Sequence, residues 1–319
     1  MLQRIKKKIL LSLGAAGILY LGFTFYANID NLVSVFGKFN WFLIPLLSLL
    51  SLINYFLRFL KWDYYLSIVK VKIKKIDSFF IFMSNLIMAV TPGKMGELLK
   101  SYLVKEISGT PVSKTFPIIF VERITDFISL IFITLIGAYL YNFGREIIFG
   151  VGIFFILVCI TLSNKSIALP IIQQLEKIKF LEKHLKNIQT AYESSYILLQ
   201  PLPLLYMSLL GILSWSLECL AYYIILSNFH MQVSFLWAAF SYGFAIIVGA
   251  ISMLPGGLGI TEGSLTFMLI RKNIARDLAV ASTFIIRAVT LWFAVLVGII
   301  SVTIYQNRYG KITVETVPN

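Results

Sequence analysis

The residues of this chain that could do chemistry are charged side chains embedded in apolar sequence. Glu122, Arg123 and Asp126 lie in "VERITD", and Arg287 lies in "IIRAVT". A guanidinium fork matches the oxygens of a phosphate and stays charged, and carboxylates four residues apart share one helix face and could orient it. We expect Arg123 and Arg287 to contact an anionic ligand. The alternative is a structural role, in which Glu122 and Asp126 pair with these arginines to hold helices together.

Two further segments interrupt the apolar sequence with Pro-Gly and then place a glutamate. They are "TPGKMGELL" at 91–99 and "LPGGLGITEG" at 254–263. Proline restricts the residue before it and glycine adopts backbone conformations closed to other residues, so each segment predicts a turn between short helices. Glu97 and Glu262 either balance a helix dipole in its first turn or bind a cation or proton. The candidate turn residues are Pro92, Gly93, Gly96, Pro255, Gly256, Gly257 and Gly259.

Four more charged residues complete the candidate binding site. Arg58 and Glu218 interrupt apolar stretches, and a charge at bilayer depth costs ~2.5–3.5 kcal/mol unless it faces the protein interior beside a partner. Lys94 and Lys100 are candidate headgroup contacts, although the sequence favours lysines that extend to water. The two cysteines lie in apolar stretches and there are two histidines, so we expect no metal site, no cofactor and no His-dependent catalysis.

The elements that must position these residues are those of a membrane protein. The chain is 58% hydrophobic and 13% charged, with a mean hydropathy of +0.85, whereas soluble domains are roughly 25% charged. A membrane span needs about 20 apolar residues. The sequence therefore predicts an all-α polytopic protein. The predicted spans are 9–27, taken as a retained helix, and 41–60, 115–141, 146–162, 202–226, 234–254 and 279–305.

Charge in the connecting segments predicts which of them lie in the cytoplasm. Lysine and arginine mark 1–8, 61–75 and 163–200 as cytoplasmic, and both termini with them, whereas 28–40, 142–145 and 227–233 carry little charge and fit outside. The formal charge of +13 is spread over such short segments. Its expected partners are therefore anionic headgroups of the cell membrane and not nucleic acid.

Two of these segments have a predicted structure of their own. Residues 78–90 lie between segments that are both assigned to the cytoplasm, so they are expected to enter the membrane, turn at 91–93 and leave on the same face. After Pro170, apolar residues recur every three or four positions as far as Leu199. That pattern predicts one amphipathic helix, which either lies on the inner leaflet or forms a connector packed on loops.

The motifs recur in the same order at nearly constant spacing. Pro92 corresponds to Pro255 and Arg123 to Arg287, while "YFLRFLKWDYYL" aligns loosely with "WSLECLAYYIIL" and brings Arg58 opposite Glu218. The spans 41–60 and 202–226 run in opposite directions by the charge rule. The sequence thus predicts an inverted-topology repeat, with two re-entrant hairpins around a midplane cavity. Arg271, Lys272 and Arg276 then lie outside, against the charge rule.

The predicted organisation is one membrane domain over 1–319. Its predicted parts are a first helix and outer loop at 9–40, repeat 1 at 41–141, a connecting helix and amphipathic segment at 142–201, and repeat 2 at 202–305.

"TPGKMGELLKSYLV", "VERITD" and "LPGGLGITEG" resemble signature segments of the lysylphosphatidylglycerol synthase transmembrane region family, a flippase-like membrane domain. The likeness spans nearly the whole chain. It implies a polytopic protein that binds a lipid with a phosphate-containing headgroup and moves it between leaflets. The family usually has arginine where Lys94 and Lys100 stand. No soluble synthase domain follows the last helix before Asn319, so lysyl transfer to lipid is not expected of this chain alone.

The sequence and the resemblance leave three classes of function open. The first is a lipid flippase or a transporter of a lipid-linked substrate, which the repeat, the hairpins and the embedded charges favour. The second is a membrane glycosyltransferase or other lipid-modifying enzyme, against which stands the lack of a D-x-D element and of a sizeable extramembrane domain. The third is a non-transporting subunit that recruits a separate lipid-modifying enzyme. No catalytic motif is found, so we expect no enzymatic activity.

Overall fold

The computed structural model describes residues 14, 16–27, 29–91, 96–176 and 185–310, and the regular structure of these residues is helical. This confirms the all-α class. Four helical stretches are long and apolar enough to cross a membrane, and each contains one predicted span. They are Trp41–Ile68, Arg145–Ser163, Pro201–Asn228 and Arg276–Tyr309.

The described first half of the chain begins with two short helices, continues with a first unit of four helices and ends with a connecting helix. The helices are α1 Ala16–Tyr26, α2 Ile29–Lys38, α3 Ile44–Ile68, α4 Lys75–Asn85, α5 Leu99–Ser108, α6 Val112–Leu140 and α7 Arg145–Ser163. A 3-10 turn at Trp41–Leu43 precedes α3, and another at Leu86–Val90 extends α4 toward the break.

The second half has two connecting helices and a second unit. The helices are α8 Lys165–Glu176, α9 Leu185–Leu198, α10 Pro201–Asn228, α11 Phe235–Ile251, α12 Ile260–Arg271, α13 Arg276–Arg287 and α14 Phe293–Tyr309. A 3-10 turn at Pro255–Gly257 separates α11 from α12, and a π-helical segment at Ala288–Trp292 joins α13 to α14. The predicted span 279–305 is therefore a continuous helix with a π-helical segment in its middle.

Two sequence-based assignments were wrong. The predicted outer loop at 28–40 contains α2, because Leu32 and Val35 form a buried face against α13. The helix predicted to start after Pro170 begins at Lys165, so Pro170 lies inside it. Its start is capped by the side chain of Asn164, which accepts a hydrogen bond from the amide of Ser166 at 2.9 Å.

Helix α9 is a packed connector, as the second alternative predicts, but it packs on helices and not on loops. This helix lies against α6 and α7, with Tyr192 and Leu198 buried. By contrast, α8 exposes the large apolar side chains Ile167, Leu169 and Ile171. The middle of the predicted amphipathic helix, residues 177–184, lies outside the described residues.

Helices α3 and α10 run antiparallel to each other. They are the first helices of the first unit (α3 to α6) and of the second unit (α10 to α14). The amide of Asn40 donates to Asn228 Oδ1 at 3.1 Å, and farther along α3 the Asn54 Nδ2 donates to the Ser214 carbonyl at 2.7 Å. Ser214 Oγ in turn donates to the Asn54 carbonyl at 3.4 Å. Asn54 and Ser214 occupy equivalent repeat positions, and reciprocal bonds between equivalent residues mark a two-fold axis. An axis across antiparallel helices gives the inverted-topology repeat that the sequence predicts.

The two units have the same backbone conformation at the end of their first helix, and the hairpin of each unit packs on the other unit. Lys70 and His230 end α3 and α10 with φ of 55° and 54°, and the next amide in each case returns to the carbonyl of Leu66 or Leu226. Helix α4 and its 3-10 turn pack on α14, while α11 packs on α6. Each hairpin thus packs on the last helix of the other unit, and the 3-10 turn Leu86–Val90 contacts the 3-10 turn Pro255–Gly257.

The connections gather at two ends of the bundle, which we call the Asn228 end and the Lys70 end. At the Asn228 end, Asn40 contacts Asn228 and the Tyr141 hydroxyl lies 3.2 Å from Ser234 Oγ. At the Lys70 end, Tyr309 donates to Asp77. Among the described residues, 61–75 and the described parts of 163–200, which are assigned by charge to one side, lie at the Lys70 end, whereas 29–40, 142–145 and 227–233 lie at the Asn228 end. Which end faces the cytoplasm, and where each terminus lies, stay predictions.

Candidate functional site

The two arginines of the repeat lie at matching depths from opposite ends. Arg123 is in α6, which starts at Val112 at the Lys70 end, and Arg287 is in α13, which starts at Arg276 at the Asn228 end. At 1.5 Å per helical residue each lies about 16 Å from its helix start. A hydrocarbon core is about 30 Å thick. Both arginines therefore lie near the middle of the bundle.

A cavity of about 130 Å³ lies between them, beside the contact of the 3-10 turns Leu86–Val90 and Pro255–Gly257. Seven of the charged residues that the sequence singled out line it: Arg58, Glu97, Lys100, Glu122, Arg123, Glu218 and Arg287. Asp126 and Glu262 are buried behind this lining and pair with its arginines. Pro92, Gly93 and Lys94 lie outside the described residues.

Asp126 gathers three cations in the half of the cavity built by the first unit. Lys61 Nζ lies 2.9 Å from one carboxylate oxygen, and Arg58 Nη2 and Arg123 Nη2 each lie 3.3 Å from the other. Lys61 is not among the predicted site residues, because the charge pattern assigns 61–75 to the cytoplasm. The signal was the apolar pattern that continues through Trp62 to Leu66, since α3 runs on to Ile68.

Lys100 is enclosed within the bundle. It donates to Glu122, and its Nζ lies 4.6 Å from the Trp62 ring centroid and 5.3 Å from that of Phe82. The prediction that Lys100 extends to water was wrong, because the returning arm α5 packs on α6 and turns this side chain inward. Glu122 pairs with Lys100 and not with either arginine, contrary to the structural alternative considered for it.

Each hairpin glutamate pairs with the arginine of its own unit, with different geometry. Arg287 Nε lies 2.7 Å from Glu262 Oε1, and its Nη2 donates to the Gly256 carbonyl at 2.6 Å. Arg123 Nη2 lies 3.3 Å from Glu97 Oε2. Among the described residues, Arg123 Nε is buried without a hydrogen-bond acceptor. Charge-assisted hydrogen bonds normally span about 2.7–2.9 Å, so Arg287 is firmly held and Arg123 is loosely held.

The second hairpin is a turn that only glycine accommodates well. Gly256, Gly257 and Gly259 have φ of 59°, 65° and 85°, in the left-handed region that penalises a Cβ. The Gly259 amide donates to Glu262 Oε2 at 2.7 Å. Glu262 therefore occupies the first-turn position of α12. In the first hairpin, a Cβ on Gly96 would lie 2.7 Å from Thr91 Oγ1.

Several polar partners of the site gave no sequence signal. Tyr242 donates to Glu218 Oε2 at 2.6 Å, and Tyr20 donates to Glu262 Oε1 at 3.2 Å. Tyr55 donates to the Thr290 carbonyl at 2.7 Å, inside the π-helical segment that directly follows Arg287. Tyrosines in apolar stretches are indistinguishable from core residues until their hydroxyl partners are known. Short π-helical segments often mark functional sites.

Comparison with known proteins identifies the family to which this chain belongs. The model of the lysylphosphatidylglycerol synthase TM region family matches residues 8–298, and the chain belongs to this family. It is similar to a UPF0104 membrane protein of Methanocaldococcus jannaschii, with 29% identity over 70% of this chain and 95% of that protein. A UPF0104 membrane protein of Pyrococcus horikoshii is 25% identical over 95% of this chain and 98% of its own length. The chain is thus a multi-pass membrane protein of this family.

Proposed function

We propose that this protein binds the phosphate of a lipid headgroup in the midplane cavity and moves the lipid between leaflets of the membrane. The observation that carries the proposal is the cluster of paired charges about the cavity, in which Arg58, Lys61, Lys100 and Arg123 come from the first unit and Arg287 from the second, each beside a carboxylate. Charges at this depth are costly, and an intramembrane cluster of them is a functional site by default. Broken helices at the interface of inverted repeats are the usual location of a transport site.

The geometry supports two different roles for the arginines. Side-chain exposure is 20% for Arg58 and 21% for Arg123, against 4% for Arg287. Arg58 and Arg123 share Asp126 at 3.3 Å, longer than a strong charge-assisted bond, so an incoming phosphate competes with a weak contact. We assign the first contact with phosphate to Arg123 and Arg58. Arg287 holds the second hairpin in place through Gly256 and Glu262.

Leaflet exchange in reconstituted vesicles tests the proposal. The purified chain is placed in vesicles of phosphatidylcholine and phosphatidylglycerol with a fluorescent phosphatidylglycerol, and its accessibility to an impermeant quencher is followed. Arg123→Ala removes a contact worth about 1.5–3 kcal/mol, which corresponds to an exchange rate about 10- to 100-fold lower. Arg145→Ala, at the start of α7 and away from the cavity, is the matched control and is expected to exchange lipid like the unsubstituted protein.

Arg123→Lys separates binding chemistry from folding. Lysine keeps the charge opposite Glu97 and Asp126 but lacks the fork that matches phosphate. We expect lower exchange with an unchanged melting temperature. Exchange at the unsubstituted rate in Arg123→Ala, or no protein-dependent exchange of phosphatidylglycerol, phosphatidylethanolamine or a polyprenyl phosphate, would refute the proposal.

A further inference from the structure

A second cavity lies apart from the ion pairs, between α1 and α12. Its volume is about 500 Å³, and its walls are mostly apolar, with Thr266 as a polar contribution. Leu19, Gly22 and Tyr26 contribute from α1, and Gly263, Phe267 and Ile270 contribute from α12. These residues recur every three or four positions, so one face of each helix forms one wall. The result is a groove that runs along the two helices, from the level of the second hairpin to the Asn228 end.

The groove is open because two of its residues have no side chain. A Cβ built on Gly22 or on Gly263 would meet no atom within 4 Å. Phe267 and Tyr26 flank this space and are 54% and 50% exposed. Leu19 is held toward the hairpin, since its Cδ1 lies 2.7 Å from the position of a Cβ on Gly259. The space beside Gly22 and Gly263 is therefore open.

A cation lies at the mouth of the groove. The Arg276 guanidinium lies 4.4 Å from the centroid of the Tyr26 ring, and its Nη1 donates to the Tyr26 carbonyl at 3.3 Å. Arg276 is exposed and makes no salt bridge with a carboxylate of the described residues. Arg271 and Lys272 are exposed at the same end. The charge rule predicts that this end lies outside, where basic residues are unexpected, and an anionic ligand on Arg276 would account for the exception.

We propose that this groove binds one acyl chain of an anionic phospholipid from the leaflet at the Asn228 end, with the lipid phosphate on Arg276. Charge complementarity selects the occupant. An apolar groove alone does not distinguish lipids, because their tails are alike, but a guanidinium at its mouth favours a net negative headgroup. Tyr26 at the rim suits the membrane interface, where an aromatic ring lies at headgroup level.

The groove extends the proposed transport function, on which its role as a waiting site rests. Its inner end lies at Gly263, the residue after Glu262, which pairs with Arg287 at the cavity. A lipid held there has its chain beside the second hairpin while its headgroup is still at the surface. A lipid from the leaflet at the Asn228 end therefore enters beside the second hairpin. This hairpin must move for the headgroup to reach the midplane cavity.

Photolabelling tests the groove without reference to transport. The protein is reconstituted in phosphatidylcholine nanodiscs with phosphatidylglycerol that carries a diazirine on one acyl chain, and labelled peptides are mapped. We expect label on α12 that excess phosphatidylglycerol displaces and excess phosphatidylcholine does not. Helix α7, which buries only Ile148 and Phe155, reports ordinary lipid contact and is expected to show label that neither lipid displaces selectively.

Two matched pairs of variants sharpen the test. Gly263→Leu fills the groove and is expected to abolish the displaceable label, whereas Gly150→Leu adds the same side chain on α7, where a Cβ also meets nothing within 4 Å, and is expected to change nothing. Arg276→Gln is expected to raise the phosphatidylglycerol concentration needed for displacement about tenfold, and Arg145→Gln to leave it unchanged.

The outcomes separate the two proposals. Label on α12 that phosphatidylglycerol does not displace, or that survives Gly263→Leu, would overturn the groove assignment even in a protein that exchanges lipid. Displaceable label in a protein without leaflet exchange would support the groove and refute the transport function.

Discussion

At the scale of single residues, the site depends on buried pairs whose members cannot be removed independently. Lys100 and Glu122 illustrate this, because the lysine is enclosed by Trp62, Phe82 and the carboxylate. Taking two charges out of water costs several kcal/mol each, and their attraction returns that cost only while both are present. Substitutions at this pair are therefore a sensitive test of how the cavity is built.

Lys100→Met is expected to lower the free energy of unfolding by about 3–5 kcal/mol, because Glu122 is left buried without its counter-ion. Lys100→Met/Glu122→Met removes both charges and is expected to be closer to the unsubstituted protein than the single variant is. The measurement is thermal unfolding in detergent.

Arg308→Met serves as the control for this pair. Arg308 is 48% exposed and its Nη2 lies 3.8 Å from Asp77, so its loss is expected to cost less than about 1 kcal/mol. Equal melting temperatures for Lys100→Met and Arg308→Met would show that Lys100 is not enclosed as described.

At the scale of elements, the packing of α14 on the first hairpin sets the position of the break. Gly298 is the contact point: a Cβ there would lie 2.2 Å from the Ile87 amide nitrogen and 2.8 Å from its Cα. The neighbour is backbone, which cannot rotate away as a side chain would. Only glycine allows the last helix of one unit to approach the hairpin of the other this closely.

Gly298→Val is expected to destabilise the protein by about 3 kcal/mol or more, since overpacking against backbone forces the helices apart. Gly150→Val, at a position where a Cβ meets no atom within 4 Å, is the control and is expected to melt near the unsubstituted temperature. The comparison uses the midpoint of thermal unfolding in the same detergent. If Gly298→Val were as stable as the control, the close approach of α14 to the hairpin would be disproved.

At the scale of the whole molecule, the inverted repeat makes a prediction about the membrane. Lys72 and Gln232 occupy equivalent positions after α3 and α10, are both exposed, and lie at opposite ends of the bundle. With Cys159 and Cys219 replaced by alanine, Lys72→Cys is expected to react with an impermeant maleimide only from the cytoplasmic side, as the lysine-rich Lys70 end requires.

Gln232→Cys is expected to react only from the opposite side. The two labelling reactions, on intact and on permeabilised cells, decide both orientation and inversion. Reaction of both cysteines from the same side would contradict the inverted repeat. Opposite sides with the assignment exchanged would keep the repeat and reverse the orientation.

Amino-acid patterns determine much of this architecture, because their causes are local or periodic. Apolar runs predict the helices, and Pro-Gly pairs predict where the two hairpins break. The recurrence of Pro92 at Pro255 and of Arg123 at Arg287 predicts the repeat. Charge in the short connections groups them into the two ends that the structure shows. Each of these signals is carried by neighbours in sequence or by one unit copied into another.

Only the tertiary structure decided which charges pair and which remain loosely held. Lys61 and Lys100 look like surface lysines in sequence, and packing between α3, α5 and α6 buries both. Arg123 and Arg287 look equivalent, yet Arg287 is fixed by Gly256 and Glu262 while Arg123 shares longer contacts. Pairing depends on distances between helices that are far apart in the chain, and neither local pattern nor periodicity contains those distances.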